Sequence, residues 1–151
     1  MDRNDVTETL NDLIENCKDG EYGFQTCAEH AKSGELKQFF ARRAQECATA
    51  AQELQSLVAR FGGVPDTGGS ATGAVHRGWV AVRGTLALND DKAMLNECER
   101  GEDASLARYR SALEEVLPPE VEEIVRRQYQ GAKRNHDEVK RLRDTSDIAT
   151  A

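Results

Sequence analysis

Aromatic residues make up only 5% of the 151 residues, with a single tryptophan, and proline occurs three times. So few rigid rings and chain breakers argue against a strand-rich sandwich or barrel, where such residues and turn signals recur every few positions. Long apolar runs are missing as well: no stretch approaches the roughly 20 apolar residues of a membrane span. The first residues, Met1 to Val6, carry no basic segment followed by an apolar one, so no export signal is visible and a cytoplasmic location is expected. The four cysteines, Cys17, Cys27, Cys47 and Cys98, show no C-x-x-C spacing and lie within apolar periodic segments, as buried reduced thiols do. Positive charge is also in deficit, the formal net charge being −7. Such a surface repels nucleic acid and anionic lipid on average. The densest basic run, Lys133 to Arg143, is interrupted by Asp137 and Glu138 and reads as a solvated helix face.

What is abundant is helix-forming. One domain over residues 1–151 accounts for the length, and a chain of this size needs no disulfide or metal to bury a core. Apolar residues recur at helical spacing from about 4 to 32, through Leu10, Leu13, Ile14, Cys17 and Phe24, with Asn4 or Thr7 as candidate caps. A second helix follows from 34 to 61, opened after Ser33 and closed by Gly62-Gly63-Val64-Pro65. The glycine-rich stretch 62–73 is the one linker, and it lacks the Gly-Lys-Ser/Thr ending of a phosphate-cradling loop. A short helix is expected over about 72–86, where His76 and Trp79 would dock it on the bundle. Further long helices are expected over 91–117 and 119–143, broken apart by Pro118-Pro119. Short, long and short connections between four long helices predict an all-α four-helix bundle with one long crossover, the ferritin-like arrangement.

Charges on the apolar stripes are the informative positions, because a bundle core admits few of them. Glu21, Arg43, Glu102, Gln128 and His136 all fall there. Gly20-Glu21 and Gly101-Glu102 echo one another, as do Arg42-Arg43 and Arg126-Arg127, which hints at a repeated helical hairpin. With turns near residues 33–34 and at Pro118, Glu21 and Glu46 stand level, while Glu102 stands level with Arg134, two residues from His136. Glu21, Glu46, Glu102 and His136 can then share one layer.

That layer resembles the carboxylate-bridged di-iron site of ferritin-like proteins, in which two helices each give a Glu and two give Glu-x-x-His. The match is partial: helix two has Glu46-x-x-Thr49 and helix four has Lys133-x-x-His136. Five or six oxygen and imidazole ligands suit iron or manganese. The competing expectation is a polar layer in which Arg43, Gln128 or a tyrosine satisfies the carboxylates. No Ser-His-Asp or Cys-His pairing suggests a nucleophile.

The chain also resembles, nearly end to end, an uncharacterised bacterial family of ferritin-like four-helix-bundle proteins. The segments that carry this are Leu13-Ile14 with Asp19-Gly20, Phe61 to Pro65, His76-Arg77-Gly78-Trp79, Gly101-Glu102-Asp103 with Tyr109, and His136-Asp137. The resemblance implies the fold and no established activity. Three roles follow as expectations. The first is a non-catalytic bundle, stress-related in one version, acting through oligomerisation or a protein partner. The second is an iron- or manganese-binding protein using Glu21, Glu46, Glu102 and His136. The third is a carrier of a small ligand between the helices.

Overall fold

A computed structural model describes residues 2–67 and 91–150, with side chains to 145. Four helices are present among them: α1 (Arg3–His30), α2 (Gly34–Arg60), α3 (Asp91–Leu113) and α4 (Pro119–Thr150). The expected short helix over about 72–86, with His76 and Trp79, lies outside the described residues. No described helix is long and apolar enough to cross a membrane.

Local chemistry sets each boundary. Asp2, two residues before the nearer of the caps expected from sequence, takes the N–H of Asp5 at 2.9 Å and opens α1. Ser33 caps α2 in the same way. At the end of α2, Gly62 adopts a left-handed φ of 80°, and two bonds close the helix: Gly62 N–H to Ala59 O and Gly63 N–H to Val58 O, both 3.0 Å. This is the Schellman stop, which needs a residue free of a Cβ at the first glycine. The second glycine is needed for space, since a Cβ on Gly63 would meet Thr7 Cγ2 at 2.7 Å. Asn11 and Gln55 then hold the start of the crossover through the backbone of Val64 and Asp66.

Helix α3 stops at Leu113, four residues short of the expected end. The chain needs that length to reach Pro119, which opens α4 where a missing N–H costs nothing. Val116, inside the helix expected over 91–117, therefore sits in the turn and is 82% exposed. Helix α4 continues past its expected end at 143 to Thr150.

Interhelix contacts fix the topology. Ser33 meets Asp91 and Thr9 meets Glu115, so α1 and α3 run antiparallel. Glu53 meets Gln128 and Glu46 meets Asn135, so α2 and α4 do too. With antiparallel hairpins α1/α2 and α3/α4, the order is up, down, down, up, so the end of α2 and the start of α3 stand at opposite ends of the bundle. A tight hairpin between α2 and α3 is thereby ruled out. Within this frame the core divides in two. Val6, Leu10, Leu54, Tyr109 and Val121 belong to one apolar cluster, and Phe24, Phe40, Met94, Cys98 and Val139 to the other. Between them lies a polar waist.

Candidate functional site

The waist holds a cavity of about 640 Å³, half open to solvent, with side chains of all four helices in its wall. Its centre is an ion pair between α2 and α3. Arg43 Nη2 donates to Glu102 Oε2 at 3.2 Å, and the two side chains are only 8% and 6% exposed. The Arg43 guanidinium also lies 4.9 Å from the centre of the Phe24 ring, and its Nη1 stands 3.7 Å from Glu46 Oε1. Burial pushes the Glu102 carboxyl above its ordinary range, and Arg43 only partly offsets this. For Arg43, burial disfavours the charge, but the carboxylates of Glu102 and Glu46 help to outweigh it and hold the guanidinium protonated. The pair is joined by a single hydrogen bond. Arg43 Nε and Glu102 Oε1 are sealed from solvent and have no hydrogen-bond partner.

A hydrogen-bond chain beside this pair crosses the bundle. Gln128 on α4 donates to Glu53 Oε1 on α2 at 2.7 Å and accepts from the Tyr109 hydroxyl on α3 at 2.9 Å. Tyr109 in turn lies 3.4 Å from Cys17 Sγ on α1. Asn16 donates to Ser105 at 2.9 Å on the same level. Burial raises the Cys17 thiol to about 11 and the Cys47 thiol to about 12, so both are neutral at ordinary pH. Tyr109 is raised for the same reason. The waist can thus bind and orient a guest, and its thiols are poor nucleophiles.

The four residues singled out as a metal layer are distributed as follows. Glu102 points inward and is held by Arg43, as the polar-layer expectation had it. Glu21 is only partly buried and takes Lys18 Nζ at 3.4 Å. Glu46 lines the cavity but is 44% exposed, with Arg42, Arg43 and Asn135 around its carboxylate. His136 Nε2 stands 2.7 Å from Asp103 Oδ1, though the approach is too far out of line for a hydrogen bond. Asp103 follows Glu102 by one residue, which is 100° around a helix, so His136 faces the neighbour of the expected glutamate. Among the described residues, Glu99, Asp103 and His136 form a group of three side chains whose ligand atoms lie within 4.8 Å of one another. Arg143 pairs with Glu99 there. Sequence reading missed Glu99 and Asp103, although their four-residue spacing puts them on one helix face. It also missed the contact of Cys27 with Cys98, whose sulfurs are 3.6 Å apart across α1 and α3 while both thiols stay free.

No curated protein matches the chain. A family model described as Domain of unknown function (DUF2383) matches residues 5–115, spanning α1, α2 and all but the last turn-forming residues before α4, and the chain belongs to that family.

Proposed function

We propose that this protein is a non-enzymatic, ferritin-like bundle whose waist holds a small organic ligand. The single long crossover and the up, down, down, up order support the ferritin-like reading. The observation that carries the ligand reading is the 640 Å³ cavity between two dry cores. That volume falls within the range of small-molecule sites, roughly 300–1,000 Å³, and space between the helices of a bundle is where such sites form.

The waist is a poor match for a di-metal centre. A guanidinium that stays protonated holds Glu102, the most buried of the four expected ligands, and repels a cation brought to the same place. A second reading, divalent metal binding, has its own support in Glu99, Asp103 and His136. Two carboxylates and an imidazole are the donor set suited to manganese or ferrous iron. Arg143 on Glu99 would have to give way.

Native mass spectrometry of the protein as purified tests the first reading. An adduct released on denaturation, and missing from Ala132→Leu, is expected, because Ala132 lines the cavity and leucine fills part of it. Bare mass in the wild type, together with no rise in melting temperature across a fragment library, would overturn it. The second reading predicts a melting temperature raised by Mn(II) in the wild type and not in His136→Ala.

A further inference from the structure

We propose that Cys27 on α1 and Cys98 on α3 are a redox pair, which closes to a disulfide when a hydroperoxide reaches it and so locks the two helical hairpins together. The pair works whether or not the waist is a ligand site.

The two sulfurs stand 3.6 Å apart, in hydrogen-bond contact, and both residues are fully buried in the apolar cluster of Phe24, Phe40 and Met94. A disulfide holds its sulfurs about 2.0 Å apart, so closure asks for an approach of about 1.6 Å, shared between two side chains. The surrounding contacts keep the pair in register. Seven residues before Cys98, the Asp91 carboxylate takes the backbone N–H groups of Lys32 and Ser33, just after α1. Seven residues after it, Ser105 accepts from Asn16 of α1. The helices are thus pinned to each other on both sides of the sulfurs. Cys17 meets the Tyr109 hydroxyl instead, at 3.4 Å.

A route for the oxidant comes from the waist. Phe24 and Glu102 line the half-open cavity. Cys27 follows Phe24 by three residues and Cys98 precedes Glu102 by four, so the pair lies one helical turn, about 5 Å, beyond that wall. Hydrogen peroxide is near the size of water and reaches the sulfurs when α1 and α3 part locally. One thiol, as its thiolate, attacks a peroxide oxygen: the O–O bond breaks, an S–O bond forms, and the departing hydroxide leaves with the thiol proton as water. The second thiol then attacks the sulfenic sulfur, an S–S bond replaces the S–O bond, and a second water leaves. Two thiols and one peroxide become one disulfide and two waters, with two electrons passing from sulfur to oxygen. Burial, together with the hydrogen bond to Cys27, holds the Cys98 thiol well above its ordinary range, so its thiolate is scarce and a brief exposure leaves the pair reduced. A dithiol reverses the bond by exchange.

The bridge would join residues 71 positions apart and tie the α1/α2 hairpin to the α3/α4 hairpin. Cross-links that close long loops constrain the unfolded chain most.

The four cysteines fall on four different tryptic peptides, so the partner of each is directly readable. The folded full chain is treated with hydrogen peroxide, quenched, unfolded and alkylated before peptide mapping. Cys27 should be found linked to Cys98, with Cys17 and Cys47 alkylated. The melting temperature of the oxidised protein should rise by roughly 5–15 °C and return with dithiothreitol. Link and rise should both vanish in Cys98→Ala and both persist in Cys17→Ala, with circular dichroism confirming the fold. The wild type alone decides the matter if either variant fails to fold. No Cys27–Cys98 link, at a peroxide dose that oxidises the unfolded chain, would overturn the proposal. A main product linked through Cys17 or Cys47, or sulfinic acid at Cys27 or Cys98 in place of the bridge, would do the same. A link that leaves the melting temperature unchanged would overturn the lock.

Discussion

Replacing Arg43 with methionine keeps much of the apolar stem and deletes the charge, stranding Glu102 in a site where its side chain is 6% exposed. Removing one member of a buried pair costs about 3–5 kcal/mol, because the remaining charge is neither hydrated nor neutralised. Loss of the contact with Phe24 adds to this, by up to about 2 kcal/mol for a desolvated cation. The carboxyl limits the damage by taking up a proton, since burial already holds its pKa above the ordinary 4.5. The net expectation at neutral pH is about 3–5 kcal/mol, or a melting temperature lower by about 6–20 °C for a chain of this size. The penalty should shrink as the pH falls toward 4.5, where Glu102 is neutral in any case. The double variant Arg43→Met with Glu102→Leu should return to within about 1 kcal/mol of the wild type, because an apolar pair of similar volume needs no neutralisation. Urea unfolding of the wild type, Arg43→Met, Glu102→Leu and the double variant, with unchanged m-values, gives the coupling energy. A single substitution costing under about 1 kcal/mol, or a double variant as unstable as the sum of its parts, would refute the buried-pair account.

Glu102→Gln should flatten one part of the stability–pH curve. Because the folded pKa of Glu102 is raised, the native state holds its proton longer than the unfolded chain, so this group lowers stability as pH rises from 4.5 through its folded value. A wild-type curve with no such fall relative to the variant would contradict this. Native Cys17 and Cys47 should resist a thiol reagent at pH 8, since burial lifts them to about 11 and about 12, and should react on unfolding. Gly131→Ala should stabilise by about 0.5–1 kcal/mol, because the new Cβ meets its nearest atom, Arg134 Nη2, at an ordinary 3.6 Å. Gly20→Ala should gain less or lose, with Cys47 Sγ only 3.0 Å away; equal gains at both sites would show that the waist is looser than described. Asp91→Ala should cost about 1–3 kcal/mol, since its carboxylate takes the backbone N–H groups of Lys32 and Ser33 at 2.9 and 3.0 Å.

Levels along the bundle were legible in the sequence, and rotations about the helix axes were not. Turns at Ser33 and Pro118 place Gly20 opposite Cys47 and Asp103 opposite His136, close to the levels expected. Helical periodicity fixes such levels well, because one residue shifts a side chain by only 1.5 Å along the axis. The same residue turns it by 100°. Thus Glu102, not Asp103, was expected to face His136, and Glu21 was expected inward although it lies at the edge with Lys18. Arg43 was one of the partners expected for a buried glutamate, beside Gln128 and a tyrosine, since a carboxylate on an apolar stripe needs compensation. The cavity had no signature in periodicity, because empty space is a property of four helices together. Its one trace was the pair of Gly-Glu steps at Gly20 and Gly101.

Those glycines bear on what the waist is for. Gly20, Gly101 and Gly131 all sit inside helices and all line the cavity. A glycine in a helix interior costs about 1 kcal/mol relative to alanine, so three of them weaken a fold whose total stability is of the order of 5–15 kcal/mol. Contact relief explains Gly20, which lets α1 approach Cys47, while Gly131 has room for a Cβ that the sequence does not supply. An arginine and a glutamate held by a single bond at the same level add a second cost, since an apolar pair of similar volume is often as stable or more so. Elsewhere the described residues follow ordinary packing rules, with apolar clusters above and below and caps at the starts of α1 and α2. Departures that concentrate in one layer, around one cavity, are what a binding site imposes on a scaffold.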